Sequence, residues 1–284
     1  MTFWVVQILN GVSFGMLLFL LAAGLSLIYG LMRILNLAHG SYYLLGAYLA
    51  LSVSAATGSF LLAALAAPAA VAALGVAMER LFLRRFPKQE LPQVLLTFGF
   101  LFILADLMLW VWGGDPQTLP KPAPLAGSVA VGPLVFPTYR LLVIGLGALA
   151  GLLLWWFQER TRLGAMVRAG VDDDEMARAC GINVPRLSTA LFAAGAALAA
   201  FGGVIGGPFV GAYPGADFEV LLLAFVVVIV GGLGSLKGAF VGGLLVGLLD
   251  TFGKALFPQL ALFTIFAPMA LILAVRPTGL FGRR

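Results

Sequence analysis

Five arginines, three aspartates and two glutamates crowd into residues 159–186, while the chain on either side is apolar enough to lie in lipid. Side chains of this kind make ion pairs and charge-assisted hydrogen bonds to another macromolecule; by themselves they make no catalytic centre. The alternatives are a docking surface for a soluble partner or a solvated loop. Within this island the 161–170 run is partly helical. Asp172 is placed to cap a second short helix with Glu175 at its N3 position and Asp173 and Asp174 in its first turn. Gly181 ends that helix and Pro185 blocks its continuation. The two helices would present Arg162, Arg168 and Arg178.

Other polar groups are few. His39 is the only histidine and lies in a polar break, residues 36–41, at the cytoplasmic end of an apolar segment. With Asn36 it serves either to hydrogen-bond backbone where the helix starts or to act at a gate. Asp106 and Asp250 sit inside apolar segments, near their outer ends, and Lys254 lies one helical turn from Asp250. Asp217 and Glu219, beside Pro208, Pro214 and Gly215, either meet a basic partner surface or cap the helix that follows. Cys180 is the only cysteine, which excludes an intrachain disulfide and a cysteine metal cluster. No residue cluster supports catalysis, metal binding or nucleic-acid binding.

The elements that hold these groups follow from composition. The chain has 284 residues, 62% hydrophobic and 10% charged, and its mean hydropathy is +1.06. Apolar stretches near the length that crosses roughly 30 Å of hydrocarbon recur throughout. The expected fold is all-α: one polytopic membrane domain over residues 1–284. About nine hydrophobic segments, with eight to ten spans as the range, fall at 5–29, 37–56, 60–83, 91–112, 141–157, 187–207, 218–234, 238–256 and 260–275. The first is expected to be retained, since no basic n-region precedes it. Of the 17 lysines and arginines, all but Lys121, Arg140 and Lys254 fall on one side, among them Lys88, Arg283 and Arg284. That side is therefore cytoplasmic, with the N-terminus outside and the C-terminus inside. Residues 113–140, with prolines including Pro116, Pro133 and Pro137, should form an irregular outer cap. The 36 glycines include four-residue pairs such as Gly11/Gly15 and Gly243/Gly247, which imply close helix packing.

Three segments carry a resemblance. The island, with Arg162, Gly164, Arg168, Ala169, Asp173, Ala177 and Gly181-Ile182-Asn183, resembles the ATPase-coupling segment of bacterial ABC importer permeases for branched-chain amino acids. Residues 34–41 with Gly46-Ala47-Tyr48 resemble that family's Asn-x-Ala-His-Gly segment. Residues 230–235 with Gly238-Ala239 and Gly242-Gly243 resemble its Gly-Gly-x-Gly-Ser segment, and residues 277–282 also fit.

What the resemblance implies is the shorter of two paired permeases in the bacterial plasma (inner) membrane. It would pass branched-chain or related amino acids from a periplasmic solute-binding protein into the cytoplasm. The partners are a second homologous permease and two cytoplasmic ATPases. ATP and Mg would be bound by the ATPases, since this chain has no phosphate-loop motif and needs no cofactor. Urea, short amides and aromatic acids are alternative substrates within the family; an ion-coupled secondary transporter and a passive channel are alternatives outside it. Asn36, His39, Gly40, Ser41, Gly232, Gly234 and Ser235 become translocation or gating candidates, and Asp217 and Glu219 candidates for docking the binding protein.

Overall fold

A computed structural model describes residues 2–87, 89–132 and 134–282. Lys88, Pro133, Arg283 and Arg284 lie outside the described residues. Eleven α-helices follow in order: α1 (Thr2–Met32), α2 (His39–Thr57), α3 (Phe60–Leu81), α4 (Glu90–Trp112), α5 (Thr138–Arg160), α6 (Arg162–Asp172), α7 (Asp174–Ala179), α8 (Val184–Val210), α9 (Ala216–Gly231), α10 (Leu236–Leu256) and α11 (Ala261–Val275). Each of the nine expected apolar segments falls on one helix. By length and composition, however, seven segments can cross a membrane: α1, α4, α5, α8, α10, Phe60–Arg85 and Pro258–Val275. The other two are α2 and α9. At 16 residues α9 reaches only about 24 Å, short of the roughly 30 Å hydrocarbon core.

In lipid there is no hydrophobic force to press helices together, so contact depends on fit. α1 is the enclosed centre and glycines let its neighbours touch its backbone. A Cβ on Gly24 would come 2.5 Å from Gly195 O of α8, and one on Gly15 would come 2.7 Å from Gly243 O of α10. The four-residue glycine pairs thus pack within the chain. α2 and α3 lie against α8, and α9 against α10. α4, α5 and α11 turn large apolar side chains outward, among them Phe102, Trp156 and Leu262.

The helix ends sort into two groups. At the basic end Arg84 reaches Pro185 O at 3.0 Å, Leu31 of α1 meets Gly170 of α6, and Gly30 meets Gly234. At the opposite end Arg140 bonds Asn10, and Lys254 pairs with Asp250 at 2.8 Å as the i, i+4 spacing predicts. The 113–140 connection is more ordered than expected. Strands β1 (Ser128–Val131) and β2 (Leu134–Pro137) form an antiparallel hairpin, in which β-branched Val129 and Val135 lie on either side of a turn with Gly132 at φ 59°. Gln117 and Ala212 exchange both backbone hydrogen bonds, 2.8 and 2.7 Å, tying this cap to the end of α8.

Gly203 tests the packing. A Cβ there would overlap Tyr43 O, whereas Gly99 on α4 has open space. Gly203→Val should lower stability by about 3 kcal/mol, the upper end of overpacking costs, and Gly99→Ala should leave it within about 0.5 kcal/mol. Thermal unfolding in detergent reads both; equal shifts would refute the close contact.

Candidate functional site

The polar break after α1 folds into the bundle interior. Arg33 turns the chain at φ 53°, its N–H reaching Tyr29 O at 2.8 Å. Leu37 N–H donates to Thr97 Oγ1 of α4 at 3.2 Å, and Ala38 N–H to Asn36 Oδ1 at 3.1 Å. Asn36 therefore does the backbone bonding expected of it. His39 does something different. Its Nε2 lies 3.0 Å from Leu21 O in the middle of α1, and a carbonyl fixes that nitrogen as the donor. Leu21 is 11 residues before the end of α1 at Met32, roughly 16 Å along the helix. The histidine thus sits far deeper than a position at the end of a span.

The same junction receives the start of α9. Ser41 Oγ donates to Asp217 Oδ2 at 3.2 Å, and a Cβ on Gly40 would overlap Asp217 O. Two helix N-termini, each electropositive, converge on one carboxylate. Asp217 is 2% exposed, so it is removed from the docking pair: its charge is spent holding α2 to α9. Glu219 alone of the two is exposed. It accepts from Tyr213 Oη at 2.8 Å. Burial, then the hydrogen bond to Glu219 and its charge, raise the Tyr213 phenol above its ordinary value, so that proton stays on the tyrosine.

The second glycine segment is elsewhere. Gly232 and Gly234 have φ of 106° and 77°, left-handed values that glycine adopts without strain, and Ser235 Oγ caps α10 by accepting from Gly238 N at 3.0 Å. The C-terminal tail straps this turn: Leu280 N–H donates to Val230 O and Phe281 N–H to Gly231 O, both 2.9 Å. His39 borders Gly24 of α1 and Gly234 borders Gly30, about 9 Å apart along that helix. The two sets of gating candidates therefore form two sites. A cavity of about 680 Å3 opens at the glycine turn between Arg33, Asp172, Ser235, Thr278 and Phe281.

The island supplies α6 and α7. Thr161 caps α6 by accepting from Gly164 N at 3.0 Å. Gly164 is pressed on the end of α5, where a Cβ would overlap Phe157 O. Asp173, not Asp172, caps α7: its backbone is extended at φ −152° and its Oδ1 accepts from Glu175 N and Met176 N at 3.0 and 2.9 Å. Asp172 ends α6. Arg178 grips Asp174 with two bonds of 3.0 Å. Ala177 is buried while Arg162 faces solvent and Ala169 is half-buried. Arg168 Nη1 is enclosed with no acceptor among the described residues.

One cluster escaped the sequence reasoning. Glu79 of α3, 2% exposed, accepts from Thr189 Oγ1 of α8 at 2.7 Å, and Arg84 Nε lies 3.4 Å from it. Arg84 also bonds Thr189 Oγ1 at 2.8 Å. The available signal was a lone acid in an apolar run, five residues before an arginine. Asp106 lies exposed on α4.

The model of the family described as branched-chain amino acid transport system / permease component matches residues 7–275. The permease protein BraD of the high-affinity branched-chain amino acid transport system of Pseudomonas aeruginosa is 31% identical, covering 98% of this chain and 95% of its own length. LivH of Escherichia coli K12, a permease protein described in the same words, is 32% identical over the same shares.

Asp217→Ala should cost about 1–3 kcal/mol, because it leaves the buried Ser41 hydroxyl without its acceptor. Glu219→Ala should change stability by no more than about 0.5 kcal/mol. Comparable melting shifts for the two variants would refute the interior role of Asp217.

Proposed function

The chain belongs to the family of branched-chain amino acid transport system permease components, and from this we propose that it is the membrane-spanning subunit of an ATP-driven importer. Its cargo is branched-chain or related amino acids, delivered by a periplasmic solute-binding protein. The observation that carries this reading is similarity to permeases of that transport system over 98% of this chain and 95% of theirs. The second permease is a homologue, and two cytoplasmic ATPases bind the ATP and Mg. The membrane is the bacterial inner membrane, crossed many times. Seven long helices support this directly; α2 and α9 complete nine passes as short helices wrapped by the others. The gathering of Arg33, Arg84 and the island at one end supports the cytoplasmic assignment of that end.

Coupling falls to residues 159–186. α6 touches the last turn of α1 through Gly170 and Leu31, and Asp172 shares a cavity wall with the α9–α10 turn and the tail. A push on α6 by an ATPase would reach the central helix and the Gly232–Ser235 turn together. Arg162 and Arg178 add exposed charge to this segment, and Arg168 is half-buried beside them. The junction of Asn36, His39, Gly40 and Ser41 is the hinge on which α2 can shift against α9. Glu219 is the acid left to meet the binding protein.

Cys180, exposed in the island, tests orientation in the native sequence. In intact cells it should resist an impermeant maleimide and react after the membrane is opened; labelling from outside would reverse the topology. Gly181, at φ 85°, closes α7 with Ile182 N–H on Ala177 O at 3.1 Å. Gly181→Val should strain that cap, and Arg168→Glu should place repulsion at the contact. Both proteins should insert normally, while uptake and binding-protein-stimulated ATP hydrolysis fall together by tenfold or more, on the order of 1.4 kcal/mol of lost coupling. Parental uptake in both would exclude the island as the coupling element.

A further inference from the structure

A groove of about 410 Å3 runs between α5 and α10, two helices held apart by α1. Its floor is Phe19 of α1 and Phe240 of α10, packed edge to face with ring centroids 5.2 Å apart. Gly151 leaves one wall without a side chain, Val241 and Trp155 stand on the walls, and Phe281 of the tail also lines the groove. The outward surface beside it is apolar, with Leu152, Leu153 and Trp156 exposed. At the basic end the lining changes to Gln158 and Lys237. Lys237 keeps 67% of its side chain exposed and meets Glu159 only at 3.8 Å, a contact that leaves its charge largely available. It also stands in the first turn of α10, where Ser235 caps Gly238 N and the N–H groups of Leu236 and Lys237 have no acceptor in the helix.

We propose that this groove holds one acyl chain of an anionic phospholipid from the bilayer, with the lipid phosphate at Lys237 and the first turn of α10. The size decides against a helix of a second subunit. A helix about 10 Å across would fill 410 Å3 within roughly 5 Å of its length, about one turn. Spread over the roughly 15 Å of one leaflet, the same volume has a cross-section of roughly 27 Å2, the width of a hydrocarbon chain. The charge selects the headgroup: a lysine and a helix N-terminus both favour phosphate without a compensating cation. Glu159 offsets part of that field and faces zwitterionic and anionic lipids alike, so selectivity rests on Lys237. The proposal rests on the cytoplasmic placement of the basic end, where the leaflet is anionic.

Filling the groove is sterically feasible. A Cβ on Gly151 would rest against the rings of Phe19 and Phe240 at 3.4 Å, at the edge of ordinary van der Waals contact, so the longer side chain of Gly151→Leu is directed over them into the groove, and Val241→Phe fills it from the other wall should the first variant fold poorly. The full chain, purified in detergent and stripped of lipid, is titrated with phosphatidylglycerol or phosphatidylcholine and read by native mass spectrometry. The parent should bind one phosphatidylglycerol at least fivefold more tightly than phosphatidylcholine. Both filled variants should weaken that binding tenfold or more, and Lys237→Gln should erase the preference. Equal binding of the two lipids by the parent overturns the proposal, as does unchanged phosphatidylglycerol binding by the filled variants. If filling instead disrupts self-association and leaves lipid binding intact, the groove is a subunit contact. The titration needs neither ATPase nor binding protein, so its failure leaves the importer assignment standing, which uptake and Cys180 labelling test separately.

Discussion

Glycine faces on α1, α8 and α10 bring backbone against backbone, with Gly24 on Gly195 and Gly15 on Gly243, and the other elements are arranged around that contact. Dispersion between closely fitted surfaces is the main attraction available to helices that leave lipid for each other. It decays within fractions of an ångström, which is why side-chainless positions recur along all three helices. With α1 enclosed from Gly11 to Ile28, the helices around it form a shell, and α4, α5 and α11 turn their bulky residues outward.

A fixed centre allows short helices inside the protein. α2 begins within the bundle, where water cannot satisfy its first N–H groups, and unmet polar groups at such depth cost several kcal/mol each. Thr97 and Asn36 answer that requirement for the N–H groups of Leu37 and Ala38, and Asp217 accepts from the Ser41 hydroxyl. The bonds are sparse and polar in a region otherwise held by fit.

Much of this was legible in the residues. Apolar runs separated by basic turns gave the helices, because lipid imposes one length and one composition on anything that crosses it. The Asp250–Lys254 pair and the left-handed Gly181 were read from spacing alone, since both are local. Depth was not legible. Asp217 looked like a surface acid because Pro214 and Gly215 mark a loop, and both are exposed; nothing in the sequence says that the side chain two residues on turns inward onto Ser41. His39 was placed near a surface for the same reason. Long-range pairs such as Glu79 with Thr189, 110 residues apart, depend on which helices become neighbours. The cap of α7 moved by one residue from Asp172 to Asp173, because three successive aspartates offer equal chemistry and backbone extension chooses among them.

The strap formed by Leu280 and Phe281 over Val230 and Gly231 makes the turn between α9 and α10 a composite of two segments far apart in sequence. Neither segment can leave without stripping hydrogen bonds from the other, so the end of α9 and the residues after α11 would loosen and order as one cooperative unit.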